Sequence, residues 1–260
     1  MDIETQAEEI RSKLEEYALP LIKLHPKAKD AAHAWSSKFG GKAYWPKGTQ
    51  YPTSKDGTPL ILLAQLNFEE LPALVNFPEK GVLQFFIEDD DLFGLDFDTP
   101  VEQVIKAPTG YRVIYHPVIE KDESLLERDL PQAKKDSYFP ISREFSLDAA
   151  IDSEIPSPTD FRFEKYARNP FDYEEDLGEY IYDHFSSEGS KMGGYACFTQ
   201  EDPRVIGQHD NWVLLFQMDS ESVGNEEIMW GDMGIGNFFI EEDALKRSDF
   251  SRVWYNWDCS

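Results

Sequence analysis

The chain has 260 residues, 41% hydrophobic and 14% aromatic, enough to bury a core without disulfides or metals, as one large domain or two closely packed halves. Fifty acidic against twenty-five basic side chains leave a net charge of −25, which repels nucleic-acid phosphates and anionic lipid surfaces and argues against both as direct partners. The longest apolar runs, such as Leu60 to Leu66, are far too short to span a bilayer, so no membrane insertion is expected.

The chain opens Met1-Asp2-Ile3-Glu4, without the basic start and apolar run of a secretory signal, and no Asn-x-Ser/Thr sequon occurs. With only Cys197 and Cys259, this predicts a cytoplasmic protein whose two thiols are ordinary buried side chains. Ile3, Ala7, Ile10, Leu14 and Tyr17 form one apolar stripe, which predicts an amphipathic helix within residues 1–25, ending near Pro20 and docked on the body. Residues 26–117 read as a strand-rich unit. Its apolar runs are Leu60 to Leu66, expected to be a central strand covered on both faces, Phe85 to Ile87, and the aromatic alternator Tyr111 to Tyr115. Residues 118–168 are charged and carry Pro131, Pro140, Pro156 and Pro158, so they are expected to wrap the body as long loops. Residues 169–260 begin with a second helix, N-capped by Asn169 with Pro170 at its first position and a stripe of Leu177, Tyr180, Ile181, His184 and Phe185. A second set of strands follows, Trp212 to Met218 and Val253 to Trp257 among them, with a short helix from about Glu242 to Arg247 before the last.

The two strand-rich stretches repeat one another. Lys38-Phe39-Gly40-Gly41 is echoed by Lys191-Met192-Gly193-Gly194, Leu62-Leu63-Ala64-Gln65-Leu66-Asn67 by Leu214-Leu215-Phe216-Gln217-Met218-Asp219, and Phe85-Phe86-Ile87-Glu88 by Phe238-Phe239-Ile240-Glu241. Arg112-Val113-Ile114-Tyr115 recurs as Arg252-Val253-Trp254-Tyr255, and the shorter offset there places a loop-like insertion between Phe93 and Pro108. The pattern predicts an α+β, mostly antiparallel β protein built as a tandem duplication, its repeats packed about an approximate twofold with helices at the periphery.

Candidate binding residues are few. Gln65 and Gln217 occupy equivalent places in apolar strands, and a buried carboxamide must find partners for two donors and an acceptor. Each either ties its strand to neighbouring backbone or to the other copy across the approximate twofold, or lines a cleft between the repeats. Trp230-Gly231-Asp232-Met233-Gly234-Ile235-Gly236 is either a hairpin connection or a loop offering an aromatic face and a carboxylate to a ligand, and Trp45 and Asp219 complete the set. Asp89, Asp91, Asp96, Asp98 and Glu102 surround Gly94 but break the EF-hand register, so they read as a solvated acidic insertion beside the alternative of an irregular cation site. No Gly-x-Ser-x-Gly, phosphate-loop or His-Glu-x-x-His motif occurs, and His25, His33, His116, His184 and His209 are isolated, so neither metal nor cofactor is expected.

Positive charge gathers at Lys23, Lys27, Lys29, Lys38, Lys42 and Lys47, whereas acid dominates Glu88 to Asp98 and Asp172 to Asp183. This asymmetry suits a non-enzymatic binding or interaction protein with a basic protein partner. The alternative is a hydrolase-like enzyme whose paired carboxylates act on a small polar substrate between the repeats.

At Gly40-Gly41, Trp45-Pro46-Lys47-Gly48, Leu62-Leu63-Ala64-Gln65-Leu66-Asn67, Gly81-Val82-Leu83-Gln84-Phe85-Phe86, Trp230-Gly231-Asp232 and Phe250-Ser251-Arg252-Val253-Trp254, the chain resembles the YwqG-like family of bacterial proteins. The resemblance runs from about Gly40 to Cys259. It implies a duplicated, strand-rich fold, bacterial origin and cytoplasmic location, and it brings no catalytic residue, cofactor or substrate.

Overall fold

The computed structural model describes residues 2–134, 138–205 and 207–260. In chain order its main elements are α1 (Ile3–Leu14), β1 (Leu19–Lys27), β2 (Lys38–Phe39), β3 (Ile61–Asn67), β4 (Val82–Ile87), α2 (Val101–Lys106), β5 (Tyr111–His116) and β6 (Phe145–Glu154). They continue with α3 (Glu175–His184), β7 (Lys191–Gly193), β8 (Trp212–Asp219), β9 (Glu221–Val223), β10 (Glu226–Ile228), β11 (Ile235–Glu241), α4 (Glu242–Lys246) and β12 (Val253–Asp258).

Ten strands form one sheet in the order β12-β11-β8-β7-β1-β6-β2-β3-β4-β5, every described pairing antiparallel, with β9 and β10 as a separate hairpin. Strand twist accumulates across so many strands until the sheet curls towards closure. Its edge strands meet across a shared aromatic interior: Tyr111 Oη of β5 donates to the Val253 carbonyl of β12 at 2.7 Å, and Phe85 packs on Phe216 and Phe238 with ring centroids 4.6 and 4.8 Å apart. The residues near 93 fasten the same seam, since Tyr255 Oη donates to the Phe93 carbonyl at 3.1 Å and Phe93 packs edge-on against Trp230 and Trp257. The stretch expected to be a loop-like insertion therefore holds α2 and helps to close the sheet.

The middle of the sheet differs from expectation. Leu60 to Leu66 and Trp212 to Met218 are covered on both faces, but the centre belongs to β1 and β6, which pair along nine residues from Leu19↔Glu154 to Lys27↔Ser146. Both had been hidden, β1 within the N-terminal helical segment and β6 within residues 118–168, expected to be loops. Pro20 and Pro26 are tolerated in β1 because β7 covers only Leu21 to Lys23, beyond which a missing N–H leaves no ladder bond unmade on that side.

The peripheral helices pack on each other. Asp2 caps α1 by accepting from Thr5 N at 2.9 Å, and Ala7 and Leu14 of α1 join Phe163, Leu177, Ile181 and Phe185 in a small core with α3. Asn169 caps a 3-10 turn, Pro170–Asp172, by accepting from Phe171 N at 3.0 Å, and α3 starts afresh after Glu174. The expected single helix is broken because Tyr173 is extended between the two pieces.

Two buried ion pairs bracket β6. Glu154, at its end, accepts from Lys191 Nζ at 2.7 and 2.8 Å, and Glu144, just before its start, accepts from Lys38 Nζ at 3.0 Å. Burial pushes the Glu154 carboxyl up and the Lys191 ammonium down, so each is held charged by the other. Stranding one member of such a pair costs about 3–5 kcal/mol, whereas an exposed pair contributes about 0–1 kcal/mol. Glu154→Gln is thus expected to lower the unfolding free energy by about 3 kcal/mol or more, and Lys23→Ala, which breaks the exposed Lys23–Asp152 pair, to change it little. Urea unfolding of both variants checks this; equal losses would contradict it.

Candidate functional site

Gln65 and Gln217 are both fully buried and make parallel sets of bonds. Gln65 Oε1 accepts from Tyr44 N at 2.7 Å and its Nε2 donates to the Ala34 and Ser36 carbonyls, both at 2.8 Å. Gln217 Oε1 accepts from Cys197 N at 2.8 Å and its Nε2 donates to the Ser187 and Gly189 carbonyls at 3.0 and 2.9 Å. Every donor and acceptor of each amide is used to pin the preceding loop of its own half to a strand. Gln84 and Asn237 extend the two sets by donating to the Tyr44 and Cys197 carbonyls, both at 2.8 Å.

The other four residues read from sequence do not join them in a common cleft. Trp45 is buried in an outer cluster with Leu60, Leu62 and Phe86, its Nε1 donating to the Thr49 carbonyl at 3.1 Å. Trp230 lies in the inner core, its indole seated over Gly236, where a Cβ would come within 2.5 Å of the ring. The glycine-rich stretch thus closes a tryptophan into the core before β11. Asp232 is exposed, and its backbone carbonyl accepts from Ser260 N at 3.3 Å. Asp219 accepts from Gly189 N at 2.6 Å, while Ser190 Oγ donates to Glu221 at 2.9 Å; burial pushes both carboxyls up.

A surface cleft of about 430 Å³ lies over the Gly40-Gly41 turn, between Asp30, Lys42, Arg143 and Glu144, with Ile61 and Ile141 on its apolar side. Both glycines have positive φ, and a Cβ on Gly41 would lie 2.0 Å from Glu144 Oε2, so only glycine lets the turn close on that carboxylate. Glu144 is spent on Lys38 Nζ and on Ala31 N at 2.8 Å, and Arg143 on Asp30 at 3.3 Å and Glu226 at 3.6 Å. The charges here balance one another and fix the turn. Among the described residues no group of three His, Cys, Asp or Glu side chains is arranged to hold a metal ion. Of the acids near Gly94, Asp96 serves a local turn by accepting from Thr99 N at 3.1 Å, Asp89 accepts from Lys134 N at 3.2 Å and Glu102 lies 3.9 Å from Arg252, while the neighbouring Asp90 accepts from Gly94 N at 2.8 Å. Cys197 is buried, and Cys259, against expectation, is partly exposed; both are free.

Sequence reading missed a buried charge network. Asp160 accepts from Arg162 Nη2 at 2.8 Å and Arg204 Nη2 at 2.9 Å, and Asp202 accepts from Arg204 Nη2 at 2.7 Å. Burial works to raise the Asp160 carboxyl, but the Arg204 and Arg162 guanidiniums outweigh it and hold the group below the usual carboxylate range. The signal was available as two Asp-x-Arg triplets, Asp160-Phe161-Arg162 and Asp202-Pro203-Arg204.

Another concavity lies against α3, about 630 Å³ between Phe171, Tyr182, Glu175, Glu179 and Asp183. Asp172, Glu174, Glu175, Asp176, Glu179 and Asp183 are all exposed here, and none enters an ion pair among the described residues.

The buried Asp219 gives a pH signature. Its folded carboxyl titrates above the ordinary 3.8, so its stabilising contribution is present below that value and is lost as the pH rises through the folded one. Asp219→Asn, which keeps an oxygen facing Gly189 N, is expected to be more stable than the parent at neutral pH, with the gain shrinking towards pH 4. Unfolding at the two pH values measures it; an unchanged difference would contradict the assignment.

Among the described residues no helix is long and apolar enough to cross a membrane. No curated protein matches the chain. Residues 37–259 match the family described as Domain of unknown function (DUF1963), a range that takes in everything from the end of the loop after β1 to Cys259, and the chain belongs to that family.

Proposed function

We propose that the chain is a non-catalytic acidic binding protein whose partner is a basic protein. The observation that supports this best is how the charges are spent. Among the described residues, twelve of the chain's twenty-five lysines and arginines enter ion pairs within the chain, Lys23–Asp152, Lys27–Asp148, Lys38–Glu144 and Lys191–Glu154 among them, while Glu175, Asp176, Glu179 and Asp183 of α3 and Asp172 and Glu174 just before it are exposed and enter none. A one-sign surface of this kind raises the encounter rate with an oppositely charged partner and discriminates against partners of its own sign. We further propose a tandem duplication, supported by the paired glutamine sets, and by β-bulges at Leu63 and Leu215, which skip the same place in the repeated blocks. Membership of the YwqG-like group, bacterial origin and cytoplasmic location complete the reading.

One observation favours an enzyme instead. Asp219 and Glu221 are neighbouring carboxylates that burial pushes up in the same direction, a condition general acids share. A hydrolase-like reaction on a small polar substrate would draw on them.

The binding reading is tested by immobilising the full chain and passing cell extract over it at about 0.15 M salt, where charges beyond about 8 Å are screened. Proteins of basic isoelectric point are expected to be retained and to elute as the salt rises. No retention, or retention indifferent to salt, would overturn the reading.

A further inference from the structure

The groove on α3 is built to stay open. The Pro170–Asp172 turn approaches the helix so closely that a Cβ on Gly178 would lie 2.4 Å from the Pro170 carbonyl oxygen, and this contact holds the turn alongside α3. Phe171, at the outer edge of that turn, is 87% exposed, and Tyr182 is 42% exposed. Their rings stand 6.4 Å apart at 39°, two aromatic faces offered to solvent at one spot. A lone exposed ring would be unremarkable, but two adjacent rings rimmed by carboxylates in a concavity have the make-up of an interaction site.

The charges beside these rings act against the free helix. Glu175, Glu179 and Asp183 follow one another at four-residue spacing, so they line one edge of α3 and repel each other. Asp183 also sits in the last turn, where the helix dipole disfavours a negative charge. A cation placed along this edge would relieve both. The same groove already shows the chemistry, because the Arg168 guanidinium lies 4.4 Å from the ring centre of Tyr173.

We infer that this groove receives an arginine-bearing segment of a partner protein, with a guanidinium stacked on Phe171 and Tyr182 and its charge met by Glu179 and Asp183. The inference rests on the basic-partner reading above and gives it a place and a residue type. Arginine suits the site better than lysine because its planar, weakly hydrated head stacks on aromatic faces while donating to carboxylates.

The test uses a fluorescein-labelled peptide of alternating arginine and leucine, its citrulline counterpart as the neutral control, and fluorescence anisotropy at about physiological salt. The full chain is expected to bind the arginine peptide and not the citrulline one. Phe171→Ser with Tyr182→Ser, which leaves the charge untouched, should weaken binding about tenfold. Glu179→Gln with Asp183→Asn should do the same, whereas Glu79→Gln with Glu227→Gln, an equal charge change at exposed residues outside the groove lining, should have an effect below about twofold. Binding by the parent that survives both groove variants, or falls equally in the distant one, would overturn the groove while leaving the basic-partner reading in place. No binding of the arginine peptide by the parent would overturn both.

Discussion

The sheet depends on how β6 is held. Glu144 stands before its first residue and Glu154 at its last, and each is engaged by a buried lysine from a different stretch of the chain, Lys38 in β2 and Lys191 in β7. One strand is thus tied at both ends, and its full-length pairing with β1 joins the two wings of the sheet. Neither lysine could be buried alone, because an uncompensated ammonium in the interior costs several kcal/mol. The glycine pairs that follow them, Gly40-Gly41 and Gly193-Gly194, exist to let the carboxylates in, since a Cβ on Gly194 would fall 2.3 Å from Glu154 Oε1.

Polar groups do similar framing work elsewhere. Gln65 and Gln217 fasten the loops ahead of β3 and β8, and the Asp160–Arg162–Arg204–Asp202 network links the 160s to the stretch after β7, with Ala196 N donating to Asp160 at 2.9 Å. Satisfied in full, such groups specify a single arrangement; left half-made, they would be worse than apolar side chains. The body of the protein is accordingly a stiff frame whose internal charges are consumed in holding it. What remains for recognition lies outside the frame, on the helical layer formed by α1 and α3.

Much of this was legible in the chain. Apolar runs and aromatic alternation located β3, β4, β5, β8, β11 and β12, because side-chain burial on a sheet writes a pattern of short reach. The stripe of Ile3, Ala7, Ile10 and Leu14 did the same for α1. The centre was not legible: β1 carries two prolines and β6 alternates aspartates with small residues, so neither looks like a core strand, and their pairing is a contact across more than a hundred residues. The lysines of the repeated Lys-x-Gly-Gly blocks were visible, but their partners were not, since an ion pair between distant positions leaves no spacing to read. Trp45 and Trp230 were legible as candidate ligand-facing aromatics, but both are core side chains: Trp45 packs with Leu60, Leu62 and Phe86, and Gly236 makes room for the Trp230 indole.

Hydrogen–deuterium exchange of the full chain, with and without the arginine–leucine peptide, tests the account most directly. It predicts that β1 and β6 exchange slowly in both states and that protection on adding peptide is confined to residues 169–186. Protection appearing instead over the Gly40-Gly41 turn and residues 141–144 would contradict it, and would move the site to the charged cleft on the sheet.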